Sequence, residues 1–281
     1  MKAKIQNLLK SLGLYHRVQA SVLYDWYWNV ADRRQIQKRV GEMDFYRTLL
    51  EGFRPGDVIF DVGANHGQKT DIFLRLGARV VSVEPDESNQ AILRQKFLWL
   101  RLNKRPMVVV GKAAGEECVT KTMYIDAPGS AKNSLSQKWV DTLRTDDKRF
   151  GKALEFASKK TVETTTLEHL IAAHGLPYFI KIDVEGYEPN AISGLKSPVP
   201  YLSFEANLPE FKPETIECVD LLAKLDPAGL FNFAVETPAR LALPRWVDRK
   251  EFLRLFETCR ESSIEVLFKS AAGQRAHAKK N

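Results

Sequence analysis

From residue 57 onward, short apolar runs alternate with segments of helical periodicity. Runs rich in valine and isoleucine are separated by stretches in which apolar residues recur every three or four positions. This rhythm is typical of a parallel sheet covered by helices on both faces. It predicts an α/β protein with a doubly wound, Rossmann-like sheet. The predicted strands lie near residues 58–62, 79–84, 107–110, 178–183, 200–205 and 231–235, with inserted strands near 118–126 and 162–166.

The N-terminal segment, the polar stretch in the middle of the chain and the C-terminal segment do not follow this alternation of strands and helices. Apolar residues recur at helical spacing from Ile5 to Leu12, which predicts a helical N-terminal extension. The aromatic cluster of residues 24–28 fits either peripheral membrane contact or core packing, and we favour core packing. Residues 128–160 are polar and irregular, so a mobile loop is predicted there. A helix near 214–225 and a helix–strand pair ending near 268 complete the prediction.

Composition indicates an ordinary soluble protein, with 44% hydrophobic and 27% charged residues. The net charge of +7 allows weak attraction to anionic surfaces, but no basic stripe interleaved with aromatic residues predicts specific nucleic-acid binding. No apolar run approaches the roughly 18 residues of a transmembrane helix. The three cysteines are far apart in sequence, which argues against a disulfide framework. A cytoplasmic location is therefore expected.

The first candidate site follows the first predicted strand, where the sequence reads DVGANHG at 61–67. Glycines at 63 and 67 let the backbone approach a ligand and let the following helix pack closely on the strand. Glu84 ends the next predicted strand, where a carboxylate can accept both hydroxyls of a ribose. A nucleoside-containing cofactor is therefore predicted at these strand ends.

Two classes of cofactor suit this turn, dinucleotides and S-adenosylmethionine. A diphosphate favours a G-x-G-x-x-G turn without a nearby anion, whereas this turn has two glycines and begins at Asp61. Asp61 would repel a diphosphate but suits the ammonium and sulfonium groups of S-adenosylmethionine. The alternative for Asp61 alone is a turn cap, and Glu84 alone could pair with a lysine.

The second candidate site is an acidic cluster after the predicted strand at 178–183. Asp183 and Glu185 are candidate general bases for deprotonating a hydroxyl, and His66 is a third candidate that could instead serve only the helix start. Alternatively, Asp183, Glu185 and Glu205 could hold a magnesium-like ion that orients the hydroxyl. A third interpretation is structural, with Lys181 neutralising the acids. The pattern does not choose between these mechanisms.

Taken together, three motifs resemble the FkbM family of methyltransferases: DVGANHGQ at 61–68, VVSVEPDESN at 80–89 and KIDVEGYE at 181–188. The similarity spans roughly residues 55–210 and implies a class I methyltransferase fold with S-adenosylmethionine as methyl donor. The cofactor-binding positions that it implies are Asp61, Gly63, Asn65, Gly67 and Glu84.

A weaker similarity covers Asn133 and Ser134, which resemble the family's polar segment and are added to the cofactor-binding candidates. His66 stands where many family members carry a small or aliphatic residue, so no role transfers to it. The predicted organisation is a helical extension over 1–50, a methyltransferase domain over 51–270 and a disordered basic tail over 271–281.

The resemblance implies methyl transfer to a hydroxyl of a sugar, glycan or secondary metabolite. The alternatives are a nicotinamide-dependent oxidoreductase and a non-catalytic protein that uses the fold to bind a glycan or partner. Neither the acceptor nor the oligomeric state follows from the sequence.

Overall fold

A computed structural model of the chain describes residues 33–98, 107–146, 149, 151, 153–235 and 240–271. The helices are α1 (Arg33–Leu49), α2 (Gln68–Arg75), α3 (Glu87–Lys96), α4 (Gln137–Thr145), α5 (Leu167–His174), α6 (Glu188–Ser193), α7 (Lys212–Leu225) and α8 (Arg249–Phe256). The strands are β1 (Val58–Val62), β2 (Arg79–Val83), β3 (Met107–Val110), β4 (Ala113–Ala114), β5 (Thr120–Ile125), β6 (Ser158–Thr165), β7 (Phe179–Ile182), β8 (Tyr201–Asn207), β9 (Leu230–Val235) and β10 (Ser263–Lys269).

Seven of these strands form the main sheet, in the order β3-β2-β1-β7-β8-β10-β9. The pairs from β3 to β8 are parallel, and β10 runs antiparallel to both of its neighbours. This arrangement confirms the doubly wound, Rossmann-like sheet and agrees with the class I methyltransferase fold that the family resemblance implies. The strand order reverses between β1 and β7, and ligands of open α/β sheets bind at such a point.

Both faces of the main sheet are buried, which explains the continuous apolar runs of its strands. On β1, Phe60 and Val62 join the larger core, which includes residues of α5, α6, α7 and α8. Ile59 points to the other face, where it belongs to a second core with residues of α1 and α2. The alternation of side chains along an extended strand sends neighbouring residues to opposite layers.

Helix α1 packs against the main sheet through residues near its end. Phe45, Tyr46 and Leu49 are buried in the second core, and the Tyr46 and Phe73 rings meet edge to face at 5.0 Å. Aromatic pairs of this geometry contribute beyond their area of burial. The described part of the segment 1–50 is thus integrated into the sheet layers.

The inserted strands form a smaller sheet of order β4-β6-β5. Strand β6 begins at Ser158, four residues before the predicted strand start at Val162, because its first residues pair with β5. Residues 111–135 therefore leave the main sheet after β3 and return beside the carboxyl ends of β1, β2 and β7.

The prediction of a loop throughout 128–160 is wrong, because residues 137–145 form helix α4. Ser136 caps this helix by accepting a hydrogen bond from the Trp139 amide at 3.1 Å. Trp139, Val140 and Leu143 lie on its buried face. The sequence signal for this helix is a serine cap followed by apolar residues at helical spacing. It was missed because the segment as a whole is polar.

Three sequence features lie outside the described residues: the pattern from Ile5 to Leu12, the aromatic cluster of residues 24–28, and all but the first residue of the predicted tail. Within the residues that are described, no helix combines the length and the apolar character needed to cross a membrane.

Candidate active site

A crevice opens at the carboxyl ends of β1, β2 and β7, and it encloses roughly 730 Å³ of space that is partly open to solvent. One wall carries the residues that follow the three strands, and the other is formed by the segment after β5. The sequence-predicted residues in its lining are Gly63, Asn65, Glu84, Asn133, Ser134, Asp183 and Glu185. The structure thus brings seven of the ten candidate cofactor-binding and catalytic residues to one cavity, and Glu205, the third candidate metal ligand, lies outside its lining.

The turn after β1 is shaped by Gly63, whose φ is +80°. A Cβ atom at this position would lie 1.7 Å from the Asp183 carbonyl oxygen. No side chain fits there, so the glycine allows the ends of β1 and β7 to approach one another. This close approach places the first motif directly beside the second.

Glu84 lies at the end of β2 and is only 5% exposed. Its two carboxylate oxygens each accept a backbone hydrogen bond, from the amides of Asn65 and Asp86, both at 2.8 Å. Burial raises the pKa of Glu84 to about 7, although these hydrogen bonds oppose the shift. The turn that carries Asn65 is therefore tied to the carboxylate that the sequence assigns to ribose binding.

Two side-chain amide oxygens in the crevice lining are buried and have no hydrogen-bond partner among the described residues: Oδ1 of Asn65 and Oδ1 of Asn89. A buried acceptor without a donor costs about 1–3 kcal/mol, so an arrangement with two in one cavity points to a ligand that supplies donors. The Asn89 side chain also hydrogen-bonds Glu84. This part of the crevice is consequently rich in acceptors.

Three of the candidate cofactor-binding and catalytic residues lie outside the lining. Asp61 is 1% exposed and accepts a hydrogen bond from the Thr70 hydroxyl at 2.5 Å, and burial raises the pKa of its carboxyl. Gly67 is the N-cap residue that precedes α2, and a Cβ there would lie 2.6 Å from a methyl carbon of Leu93. His66 is exposed. The structure therefore places Asp61 and Gly67 in the scaffold of the turn and leaves His66 outside the cavity lining.

Asn133 and Ser134 line the opposite wall, but their side chains are engaged with protein groups. Asn133 donates through Nδ2 to the Asp86 carboxylate and accepts through Oδ1 from the Asp126 amide, both at 2.9 Å. The Ser134 hydroxyl donates to the Glu185 carbonyl oxygen at 2.7 Å. These two residues therefore connect the wall to the loop after β2 and to the loop after β7.

Asp183 follows β7 and is paired with Lys181, whose Nζ lies 2.7 Å from Asp183 Oδ2. Burial alone would raise the pKa of the Asp183 carboxyl, but the charge and hydrogen bond of Lys181 hold it below its ordinary value. Burial would lower the pKa of Lys181, yet the neighbouring carboxylates, Asp183 first, raise it instead. Asp183 is thus an ionised carboxylate in the crevice at neutral pH.

Glu185 occupies a left-handed backbone conformation with φ of +56°, which is uncommon outside glycine. The Glu188 carboxylate supports the turn by accepting hydrogen bonds from the amides of Val184 at 3.0 Å and Gly186 at 3.4 Å. Burial, followed by the charges of Glu205 and Asp183, raises the pKa of Glu185 well above its ordinary value. The shift therefore favours the protonated form of Glu185 relative to an exposed glutamate.

Oxygens of Asp183, Glu185 and Glu205 lie within 4.8 Å of one another. Burial, then the charge of Asp183, raises the pKa of Glu205 to about 8, so it carries a proton at neutral pH and hydrogen-bonds Asp183. The cluster can hold a proton between two carboxyl groups, or present oxygen ligands to a divalent cation.

Sequence reasoning missed several lining residues, including Asn89, Ala113, Ala114 and Tyr187. Asn89 could have been noticed because it falls in the first helical turn after Glu84, on the side that faces the strand end. The two alanines had no local signal, since their place in the lining depends on the excursion from β3 to β5.

Comparison with known proteins identifies a family. A family model described as the methyltransferase FkbM domain matches residues 61–225, which is more than half of the chain. None of the curated proteins matches the sequence.

Solved structures show similarity at low sequence identity. A methyltransferase FkbM from Methylobacillus flagellatus KT is 17% identical with a TM-score of 0.48; the similarity covers 77% of this chain and 44% of that chain. This chain therefore spans less than half the length of that relative. A SAM-dependent O-methyltransferase from Thermotoga maritima is 11% identical with a TM-score of 0.36, covering 80% of this chain and 64% of that one. A precorrin-6y C5,15-methyltransferase from Geobacter metallireducens GS-15 is 8% identical with a TM-score of 0.38; the similarity covers 82% of this chain and 86% of that one.

Proposed function

The chain belongs to the FkbM methyltransferase family, and from this premise we propose that it transfers the methyl group of S-adenosylmethionine to a hydroxyl of a sugar, glycan or secondary metabolite. The observation that carries the cofactor assignment is the acceptor-rich end of the crevice. There the Glu84 carboxylate lies beside the unpartnered amide oxygens of Asn65 and Asn89. A ribose with two free hydroxyls supplies the donors that this end lacks.

The acidic lining favours S-adenosylmethionine over a dinucleotide. Glu84 and Asp183 face the same cavity, and each would repel a diphosphate at close range in a partly dehydrated site. The same carboxylates suit a ligand with an ammonium and a sulfonium group. When bound, this cofactor supplies an electrophilic methyl group, and transfer to a hydroxyl leaves a proton that the protein must remove.

We assign the removal of that proton to Asp183. It is the ionised member of the cluster, it lines the crevice, and Lys181 keeps it ionised. The upward pKa shift of Glu185 disfavours the ionised form that a base requires, and His66 lies exposed outside the cavity lining, so neither is assigned this role. Glu205 lies outside the cavity lining and hydrogen-bonds Asp183; with its pKa raised to about 8 it already carries a proton at neutral pH, so it acts as a donor to the Asp183 carboxylate.

Calorimetric titration with S-adenosylhomocysteine, with NAD as the control ligand, tests the cofactor assignment. We expect S-adenosylhomocysteine to bind and NAD to give no heat, because only the former presents ribose hydroxyls without a diphosphate. Binding of NAD alone would favour the oxidoreductase alternative. Binding of S-adenosylhomocysteine without turnover of any hydroxylated acceptor would favour the non-catalytic alternative.

A divalent cation is the alternative means of orienting the acceptor hydroxyl, with Asp183, Glu185 and Glu205 as ligands. We expect no such site, because the Lys181 ammonium already neutralises Asp183 at 2.7 Å and the raised pKa values of Glu185 and Glu205 disfavour the ionised forms that would bind a cation. Titration of the chelator-treated protein with Mn²⁺ at pH 7 should therefore give no saturable heat. Saturable binding that is lost in Glu205→Gln would establish the metal mechanism instead.

A further inference from the structure

The carboxylate of Asp86 faces two different parts of the molecule. Oxygen Oδ1 caps helix α3 by accepting from the amides of Ser88 at 2.8 Å and Asn89 at 3.4 Å. Oxygen Oδ2 accepts from the Gly129 amide at 3.1 Å and from Asn133 Nδ2 at 2.9 Å. Four donors from two separate segments therefore converge on one side chain, which is 6% exposed.

The segment held by Oδ2 is a wall of the crevice. Ser130, Ala131, Asn133 and Ser134 all belong to the lining, and they face the turn and strand ends from the opposite side. Within this segment, Ser130 bonds Asp126 and Asn133 bonds the Asp126 amide, so its internal bonds shape it. The internal bonds alone do not attach it to the other wall.

Asp86 supplies that attachment on the Glu84 side. Its backbone amide donates to Glu84 Oε1 at 2.8 Å, so the same residue contacts the ribose-assigned carboxylate, the helix that carries Asn89 and the opposite wall. Asn133 lies 47 positions away in sequence. Ser134 provides the corresponding attachment on the other side, through the Glu185 carbonyl oxygen.

We infer that Asp86 is a positioning residue that holds the wall of residues 129–134 in place across the crevice, through one carboxylate oxygen, independently of its role as a helix cap. The inference rests on the proposed function to the extent that the crevice binds the cofactor. It predicts that cofactor affinity depends on an oxygen that does not itself touch the cofactor.

The substitution Asp86→Asn separates the two roles. An amide offers one acceptor oxygen where the carboxylate offers two, so one of the two pairs of donors must lose its partner. Asparagine is as good a helix cap as aspartate, and the helix amides are fixed by the helix itself. The wall is therefore expected to lose its bonds to this side chain, because the amide nitrogen of the substituted residue would face the donors of Gly129 and Asn133.

Hydrogen exchange without any ligand provides the first readout. In Asp86→Asn, peptides covering residues 127–134 should exchange faster, by roughly tenfold or more because a charge-assisted hydrogen bond is lost, while peptides covering 87–91 stay unchanged. The matched control is Asp248→Asn, which alters another aspartate cap at the start of α8, where the side chain accepts from the Glu251 amide at 2.8 Å. That variant should leave the wall unaffected.

Affinity for S-adenosylhomocysteine provides the second readout. We expect Asp86→Asn to raise Kd roughly tenfold, and Asp248→Asn to leave it unchanged. Asn133→Asp should weaken binding more, because it places two carboxylates about 2.9 Å apart. Combining Asp86→Asn with Asn133→Asp restores a donor–acceptor pair and should bind more tightly than Asn133→Asp alone, a rescue that general destabilisation does not produce.

The outcomes separate the inference from the proposed function. Unchanged exchange of residues 127–134 in Asp86→Asn, with the variant folded, would overturn the inference. Faster exchange at 87–91 in place of 127–134 would overturn it as well, because Asp86 would then act mainly as a cap. If the wild-type protein does not bind S-adenosylhomocysteine, the proposed function fails, and the exchange rates still decide whether Asp86 holds the wall.

Discussion

Asp183→Asn is expected to lower kcat for methyl transfer by roughly 10²- to 10⁴-fold, the usual contribution of a positioned proton acceptor. The amide keeps the shape of the side chain and can still accept a hydrogen bond from Lys181, which lies 2.7 Å away. It cannot take a proton from a hydroxyl at neutral pH. The measurement is S-adenosylhomocysteine production with an acceptor found by screening hydroxylated glycans.

The cofactor should still bind to this variant. Glu84, Asn65 and Asn89 form the acceptor-rich end of the crevice, and none of them depends on the charge of Asp183. We therefore expect the Kd for S-adenosylhomocysteine to change less than about threefold, which is below 1 kcal/mol. The matched control is Asp141→Asn on the exposed face of α4, which should keep wild-type kcat.

Two results would contradict the assignment of Asp183. A variant that keeps near-normal kcat would move the proton acceptor elsewhere in the cluster, with Glu205 next because loss of the Asp183 charge, which raises its pKa in the wild-type protein, favours its ionised form. A variant that loses cofactor affinity while keeping kcat at saturation would make Asp183 a cofactor ligand. The ratio of the two effects distinguishes a catalytic role from a binding role.

The main sheet could be predicted from the sequence because its signal is local. A strand buried on both faces must be apolar throughout, as Val58–Val62 largely is, and each predicted strand of the main sheet falls within two residues of the observed bounds. The turn at Gly63 was equally visible, since a glycine directly after such a strand marks a close approach of backbones. Local sequence features were therefore sufficient to predict the main sheet and the crevice wall that follows its strand ends.

The opposite wall could not be predicted in the same way, because its attachments are distant in sequence. The bond between Asp86 and Asn133 joins residues 47 positions apart, and the bond between Ser134 and Glu185 joins residues 51 positions apart. Nothing in the polar segment near residue 130 identifies its partners. The position of this segment across the crevice depends on contacts with distant parts of the chain. The sequence pattern therefore predicts that the segment is polar but not where it lies in the fold.

The charge states of the acids also required the structure. Asp183 and Glu185 are both acidic and two positions apart, so the sequence made them equal candidates. In the folded protein Asp183 pairs with Lys181, whereas Glu185 lies near the carboxyl groups of Glu205 and Asp183, so their pKa values shift in opposite directions. The charged partners of the two carboxyls, rather than residue type, therefore distinguish Asp183 from Glu185 as a candidate base.

The affinity for S-adenosylhomocysteine should depend on pH through Glu84. Burial raises the pKa of this carboxyl to about 7 in the free protein. Ribose hydroxyls donate to the ionised form, so binding favours loss of the proton and lowers the pKa. Affinity is therefore full above a pH of about 7 and falls as the pH drops through the pKa, with Kd rising up to about tenfold per pH unit below it. Titrations between pH 5.5 and 8.5 measure this profile.

Glu84→Gln should weaken binding at pH 8 and remove this pH dependence. A neutral amide replaces an ionised acceptor and cannot accept from the amides of both Asn65 and Asp86, each 2.8 Å from the carboxylate. Loss of about 2–4 kcal/mol of charge-assisted hydrogen bonding corresponds to a Kd increase of roughly 30- to 1000-fold. Glu87→Gln is the matched control, because Glu87 begins α3 close by but its carboxylate is exposed and pairs with Lys160.

The difference between the wild-type and Glu84→Gln profiles isolates this carboxyl from ionisations of the ligand. Binding to the wild-type protein near pH 6.5 should release up to one proton, measurable as a dependence of the observed heat on buffer ionisation enthalpy. A flat wild-type profile would show that Glu84 does not contact the hydroxyls through its ionised form. A steep profile that persists in Glu84→Gln would assign the proton to another acid, with Glu188 as the next candidate because burial raises its pKa to about 7.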